Sequence, residues 1–294
     1  MATDASDVLL IPTEVCETIL DFIADTSRHT LLSCALVSRV WLPRCRFHLC
    51  GVVILRSHEA LLSFSLLLSS SPQYATLLHT LSLCAKGSRK ADSWVASVPL
   101  MLPPLPNLSQ FKIHDFEIPY QHPTFFKVYS NFTLATPHSK LKLVNVSYDS
   151  FHLIALLADA VHASELELDS RSLLPYTSDG IVAHAISASN TWLTTVTIRI
   201  RSWMEMKQMD WDWILACSKL TFCALDADID FERGGAISPF SPENADVWSG
   251  VCRVVLSMSA RPNHAAQVEI RVWTSVHVVI SVGSQGASQV LFKF

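Results

Sequence analysis

Leu78-His79-Thr80-Leu81-Ser82-Leu83 and Leu108-Ser109-Gln110-Phe111-Lys112-Ile113 carry the pattern that decides the fold. Each begins with an apolar residue, passes two others, and ends in an apolar–polar–apolar triplet. The triplet returns as Leu141-Lys142-Leu143, Leu166-Glu167-Leu168, Val196-Thr197-Ile198, Leu220-Thr221-Phe222 and Val268-Glu269-Ile270. Successive starts lie 24 to 30 residues apart, with one last gap of 48. Three residues ahead of the triplets stand Leu78, Leu108, His138, Ala163, Leu193, Cys217 and Ala265, all small or apolar except His138. A period of two marks a strand with one buried face. The centres Ser82, Lys112, Lys142, Glu167, Thr197, Thr221 and Glu269 are all polar. They are expected on an open sheet face and are the candidate binding residues there.

Between the triplets the pattern turns helical. Ser57 is placed to cap a helix through Glu59-Ala60-Leu61-Leu62 to about Ser70, stopped by Pro72. Ser150 precedes Phe151 to Val161, whose Phe151, Ile154, Leu157, Ala158 and Val161 share one face. Ser241-Pro242-Glu243 opens another helix towards Leu256, and weaker helices are expected at Gly180–Ala188 and Met204–Ala216. Strand–helix alternation at this pitch is α/β, either a parallel-stranded solenoid or a doubly wound sheet. Polar triplet centres favour the solenoid, because doubly wound strands are covered on both faces and read as nearly all apolar. The spacing approximates the L-x-x-L-x-L core of a leucine-rich repeat, whose periods run about 20–29 residues. Three strands near Gln267–Trp273, Val276–Val282 and Gln289–Phe294, around Gly283-Ser284-Gln285-Gly286, suggest an antiparallel cap.

Residues 1–50 read differently from 51–294. Pro12 suits a first helical turn, with Glu14 and Glu17 at the positive end of the helix dipole. Val15, Ile19, Phe22 and Ile23 form an apolar stripe, and Leu31, Leu32, Ala35, Leu36 and Val37 a second helix. A third begins at Ser38-Arg39-Val40-Trp41, where Pro43 kinks or delimits it. Three short helices bury little surface alone. Their apolar surplus is completed by a partner or packs on the downstream domain, and the pattern by itself leaves both open.

Ile11-Pro12-Thr13-Glu14-Val15, then Ile19-Leu20, then Leu32, Ala35-Leu36-Val37-Ser38-Arg39 and Trp41 resemble the F-box. The stretch Ser33 to Leu49 is similar to the variant found in mushroom-forming fungi. The resemblance implies a helical bundle that docks on the Skp adaptor of a cullin–RING ubiquitin ligase. It maps the adaptor-contacting residues to Ile11, Pro12, Val15, Ile19, Leu20, Val37 and Trp41, with Ile11 standing where Leu is usual. Degenerate repeats after the F-box are also found in fungal members. They imply a protein target bound on the repeat face, and a chain that supplies proximity while the ligase complex transfers ubiquitin.

Other classes are weakly represented. The net charge is −4, with no basic stripe for nucleic acid. The longest apolar stretch, Ala60–Leu68, falls far short of the roughly 20 residues that span a bilayer. Asp4 and Asp7 stand where a secretory signal carries Lys or Arg, so a cytoplasmic or nuclear location is expected. Eight Cys form no CxxC pair and read as buried free thiols. G-x-S-x-G, H-E-x-x-H and P-loop patterns are absent, and Gly is scarce at eight, so neither catalysis nor a cofactor is expected. Asp226-Ala227-Asp228-Ile229-Asp230 starts like a calcium loop, but Phe231 and Ile237 replace the Gly and Glu it needs, so no metal site is expected. His114, Asp115, Glu117 and His122 could be drawn as an acid–base set, and read better as structural residues. Trp203, Met204, Met206, Met209, Trp211 and Trp213 read as core packing.

Overall fold

The computed structural model describes residues 12–86, 92–118, 124–130, 132, 134, 139–148, 151–169, 192–200, 214–215, 217–228, 245–259, 267–273, 277–282 and 288–293. Ile11, Gly180–Ala188, His122 and most of Met204–Ala216 lie outside them.

Three helices come first: α1 (Thr13–Thr26), α2 (Arg28–Val37) and α3 (Leu42–Gly51). Ser27 separates the first two. Its extended backbone ends α1, and its side chain accepts from Thr30 N at 3.2 Å to start α2. Pro43 sits in the first turn of α3, where its missing N–H costs nothing, so it begins that helix and does not kink it. The helices close on Leu20, Leu31 and Cys45, with Ile23, Ala24, Cys34, Ala35, Trp41 and Leu49 packed around them.

The chain then alternates: β1 (Val52–Leu55), α4 (His58–Ser70), α5 (Gln73–Leu77), β2 (Thr80–Cys84), α6 (Val98–Met101), β3 (Gln110–His114), α7 (Thr124–Tyr129), β4 (Lys140–Val144), α8 (Phe151–Ala160), β5 (Glu165–Asp169), β6 (Thr195–Ile200), β7 (Phe222–Asp228), α9 (Ala245–Ser259), β8 (Gln267–Trp273), β9 (His277–Val282) and β10 (Ser288–Lys293). Ser57 caps α4 as its position predicts, accepting from Ala60 N at 3.2 Å. All ten strands form one sheet in chain order. Seven successive parallel pairings join β1 to β8, and β9 and β10 add antiparallel.

The strand order has no reversal. Right-handed connections advancing in one direction all fall on the same face. Packing agrees, because Leu81, Phe111, Leu141, Leu166 and Val196 share one buried cluster with Leu61 of α4, Val98 of α6, Phe125 of α7, Leu157 of α8 and Val254 of α9. A doubly wound sheet needs the reversal that is missing here. The sheet is therefore helix-covered on one face and, among the described residues, uncovered by helices on the other.

One triplet differs from its sequence assignment. The partner of Thr197 on β7 is Ala224, and Val196 and Ile198 face Cys223 and Leu225. The working triplet is Cys223-Ala224-Leu225, preceded at the usual distance by the buried Leu220. Thr221 instead joins a ladder at the start of each strand, with His79, Ser109, Ser139, Ser164 and Thr194. The carbonyls accept backbone N–H groups from the next rung: His79 from Ser109, Ser109 from Lys140 beside Ser139, Ser139 from Ser164, Ser164 from Thr194, and Thr194 from Thr221, all at 2.8–3.0 Å. Hydroxyls reinforce it, Ser164 Oγ, Thr194 Oγ1 and Thr221 Oγ1 each donating at 3.1 Å to the carbonyl of the preceding rung. A small hydroxyl two residues ahead of the triplets of β3 to β7 is thus a repeat signal that apolar counting passes over.

Aromatic rings fill the middle of the core. Phe125 and Tyr129 lie 4.6 Å apart between centroids, with Phe116, Phe111 and Phe132 beside them. Tyr129 is fully buried, and its hydroxyl donates to Val95 O at 2.8 Å. Burial pushes its phenol far above the ordinary range. Tyr129→Phe is expected to cost about 0.5–1.5 kcal/mol in urea unfolding, the net worth of one hydrogen bond. The native phenol should give no phenolate absorbance near pH 11, and should give it once the chain is unfolded.

Candidate functional site

Two surfaces remain after the core is built. The first is the outside of the helical module. The α1 stripe predicted from sequence faces solvent: Val15, Ile19 and Phe22 are exposed, and only Ile23 turns partly inward. Leu32, Leu36, Val37 and Val40 are exposed on and after α2, Leu36 at 89% and Val37 at 73%. Of the residues assigned to adaptor contact, Pro12, Val15, Ile19 and Val37 are outward and Ile11 lies outside the described residues. Leu20 is only 2% exposed and holds the bundle together, and Trp41 packs partly buried against that core. Among the described residues, the apolar cluster that holds both contains nothing beyond Leu49. Phe22, Leu32, Leu36 and Val40 extend the outward apolar surface beyond the positions assigned to adaptor contact, and Phe22, Leu32 and Leu36 are legible in the apolar patterns of their helices.

Polar contacts fix the module. Asp21 on α1 accepts from Arg44 Nε and Nη2 at 2.7 and 2.6 Å, and its Oδ1 lies 2.7 Å from His48 Nε2, both on α3. The hydrogen bonds from Arg44 and then His48 hold the Asp21 carboxyl down at about 2. Arg28 donates to Leu49 O at 3.0 Å and Val52 O at 3.2 Å, where α3 runs into β1. Phe47 lies 5.2 Å from the His79 ring, so the bundle is also seated on the start of β2.

The second surface is the open sheet face. Register aligns Ile54, Ser82, Lys112, Lys142, Glu167, Thr197, Ala224 and Glu269 across eight strands. Six of the seven predicted centres are therefore one row, and Thr221 is not in it. Ser82 is 5% exposed, a short side chain between the longer Ile54 and Lys112 positions. Glu167 is 7% exposed because bases close over it. Lys140 Nζ lies 2.7 Å from its Oε2, Lys142 Nζ 2.5 Å from its Oε1, and Arg199 Nη1 3.8 Å from Oε1. Burial pushes Glu167 up, but the Lys140 and Lys142 hydrogen bonds and charges outweigh it and leave the carboxyl at about 2. Lys112 is pushed down, by burial first and by neighbouring Lys142 next.

Beyond the row, Asp115, Phe116, Glu117, Asn145 and Ser147 line an open groove of about 270 Å³ at the ends of β3 and β4. Asp115 and Asn145 both take left-handed backbone, φ 54° and 55°, a conformation these side chains tolerate. Asn145 Nδ2 donates to Asp115 Oδ1. His114 is not in this groove, and burial pushes its imidazole down. Asp226, Ala227 and Asp228 lie in strand β7, not in a loop, and Asp230 lies outside the described residues. Among the described residues no group of three or more His, Cys, Asp or Glu side chains could hold a metal ion. The Trp203 to Trp213 cluster lies outside them. No helix among the described residues is long and apolar enough to cross a membrane. Neither the protein-family models nor the curated proteins gave a match to this chain.

Glu167→Gln would leave three bases around an uncharged amide and is expected to cost about 1–3 kcal/mol, as for a hydrogen-bonded charge. Its folded pKa is depressed, so its contribution is full above the ordinary carboxylate range and is lost as pH falls toward 2. Urea titrations of both chains should therefore differ at pH 7 and converge in acid.

Proposed function

We propose that the chain is a substrate-recognition adaptor of an SCF-type ubiquitin ligase. The F-box-like helices bind the Skp adaptor, and the strand–helix repeats, read as a degenerate leucine-rich-repeat solenoid, hold a protein target on the open face. The chain itself catalyses nothing in this reading, and the cullin–RING complex supplies the chemistry. One observation carries it: a small bundle fills its own interior with Leu20, Leu31 and Cys45 while leaving Val15, Ile19, Phe22, Leu32, Leu36, Val37 and Val40 at solvent. A surface that apolar on so small a module is the signature of a protein partner. Had the surplus packed against the sheet domain, a self-contained scaffold would have been the better reading.

Exposure also selects the mutations that test it. Val15→Asp with Val37→Asp charges the outward face without touching the core, and should abolish capture of the Skp adaptor by the full chain while unfolding stays unchanged. Leu20→Ala removes core volume and should cost about 2–5 kcal/mol of module stability. Capture that persists undiminished in the Val15/Val37 double variant would defeat the proposal.

A further inference from the structure

Among the described residues, Lys112 is a charge on the open face that no ion pair answers. Its register partner is Lys142, a like charge on the adjacent strand, and neighbouring strands lie only about 4.8 Å apart. Lys142 and Lys140 are answered by the two oxygens of Glu167. On the other side of Lys112 stands Ser82, a neutral hydroxyl whose close contact is Cys84 Sγ at 4.0 Å. Lys112 has no ion pair among the described residues; burial and Lys142 disfavour its charge more than the more distant Glu167 favours it.

We propose that Lys112, backed by Lys142, holds a carboxylate side chain of the bound target, an Asp or Glu in an extended segment lying across β3 and β4. The proposal rests on the reading of this face as the target-binding one. Charge complementarity sets the occupant. The open face of β3 and β4, where the segment lies, carries Lys112, Lys140 and Lys142 and no acidic residue, and of these Glu167 on β5 takes Lys140 and Lys142 at its two oxygens. One surplus cation matches a single negative charge. A phosphate dianion would bring a second charge towards Glu167 behind Lys142 and Asp115 at the end of β3, both carboxylates.

The test uses the full chain with isotope-labelled lysine, followed by side-chain NMR, and three probe peptides of one length: Glu-rich, its Gln counterpart and its phosphoserine counterpart. The Lys112 signal is identified by its loss in Lys112→Arg. The Glu-rich peptide should move that signal most, leave Lys86 in place, and lose its effect as salt is raised. Lys112→Met should weaken binding at least tenfold, whereas Lys112→Arg should retain most of it and shows that the fold tolerates the site. An unmoved Lys112 signal, an equal response to the Gln peptide, or tighter binding of the phosphoserine peptide would each overturn the carboxylate assignment. Skp capture by the same preparation reads the proposed function separately, so a chain that captures Skp and ignores the Glu-rich peptide refutes only this inference.

Discussion

Each strand from β2 to β8 takes its backbone hydrogen bonds from the strand before it, in the same direction and at the same height. Register therefore propagates. A strand displaced by one residue would turn its buried side chains to the open face and carry its successors with it. Two features pin the rungs. Apolar pairs such as Leu81 with Leu83, Phe111 with Ile113 and Leu166 with Leu168 anchor the helix-covered face. The hydroxyl ladder anchors the starts of β3, β5, β6 and β7, where Ser109, Ser164, Thr194 and Thr221 bond by side chain and backbone to the previous rung. The apolar contacts supply the driving force, and the ladder removes the alternatives.

The helical module depends on that same regularity at one remove. Helix α3 passes into β1 without a break, and Arg28 ties the start of α2 to the junction. Asp21 then clamps α1 onto α3 through Arg44 and His48. The sheet thus fixes α3, α3 fixes α1, and the outward apolar stripe acquires a defined orientation. Three helices of this length would be marginal alone. Seated on the sheet through Phe47 and His79, they spend few of their own apolar residues on cohesion and leave many at the surface.

On the open face the organising group is a single buried carboxylate. Glu167 draws Lys140, Lys142 and Arg199 inward, and in doing so turns a row of separate surface charges into an ordered cluster. The cost of burying Glu167 is met because both oxygens are bonded, as buried charge requires. Lys112 lies one strand beyond the reach of this arrangement, which makes it distinct from the other lysines of the face.

Much of this was legible in the sequence, for physical reasons that are local. Period-two alternation fixes which side of a strand is apolar, Ser57 and Ser27 start helices through bonds to residues three positions away, and Pro43 starts one where its missing N–H costs nothing. Leu220-Thr221-Phe222, by contrast, satisfies the apolar–polar–apolar pattern, while the adjoining Cys223-Ala224-Leu225 breaks it with an apolar centre. They differ by an odd shift, so they bury opposite parities, and only pairing with Val196 and Ile198 selects the second. Likewise Val15, Ile19 and Leu20 are all apolar on one helix. Which of them turns inward is set by where α2 and α3 lie, a contact no short window of sequence contains. The sequence by itself determined the strands, the helices and the existence of an apolar surplus. Tertiary structure decided which residues form that surplus and which lysine has no ion pair among the described residues, because both depend on neighbours in other helices and strands, beyond any short stretch of sequence.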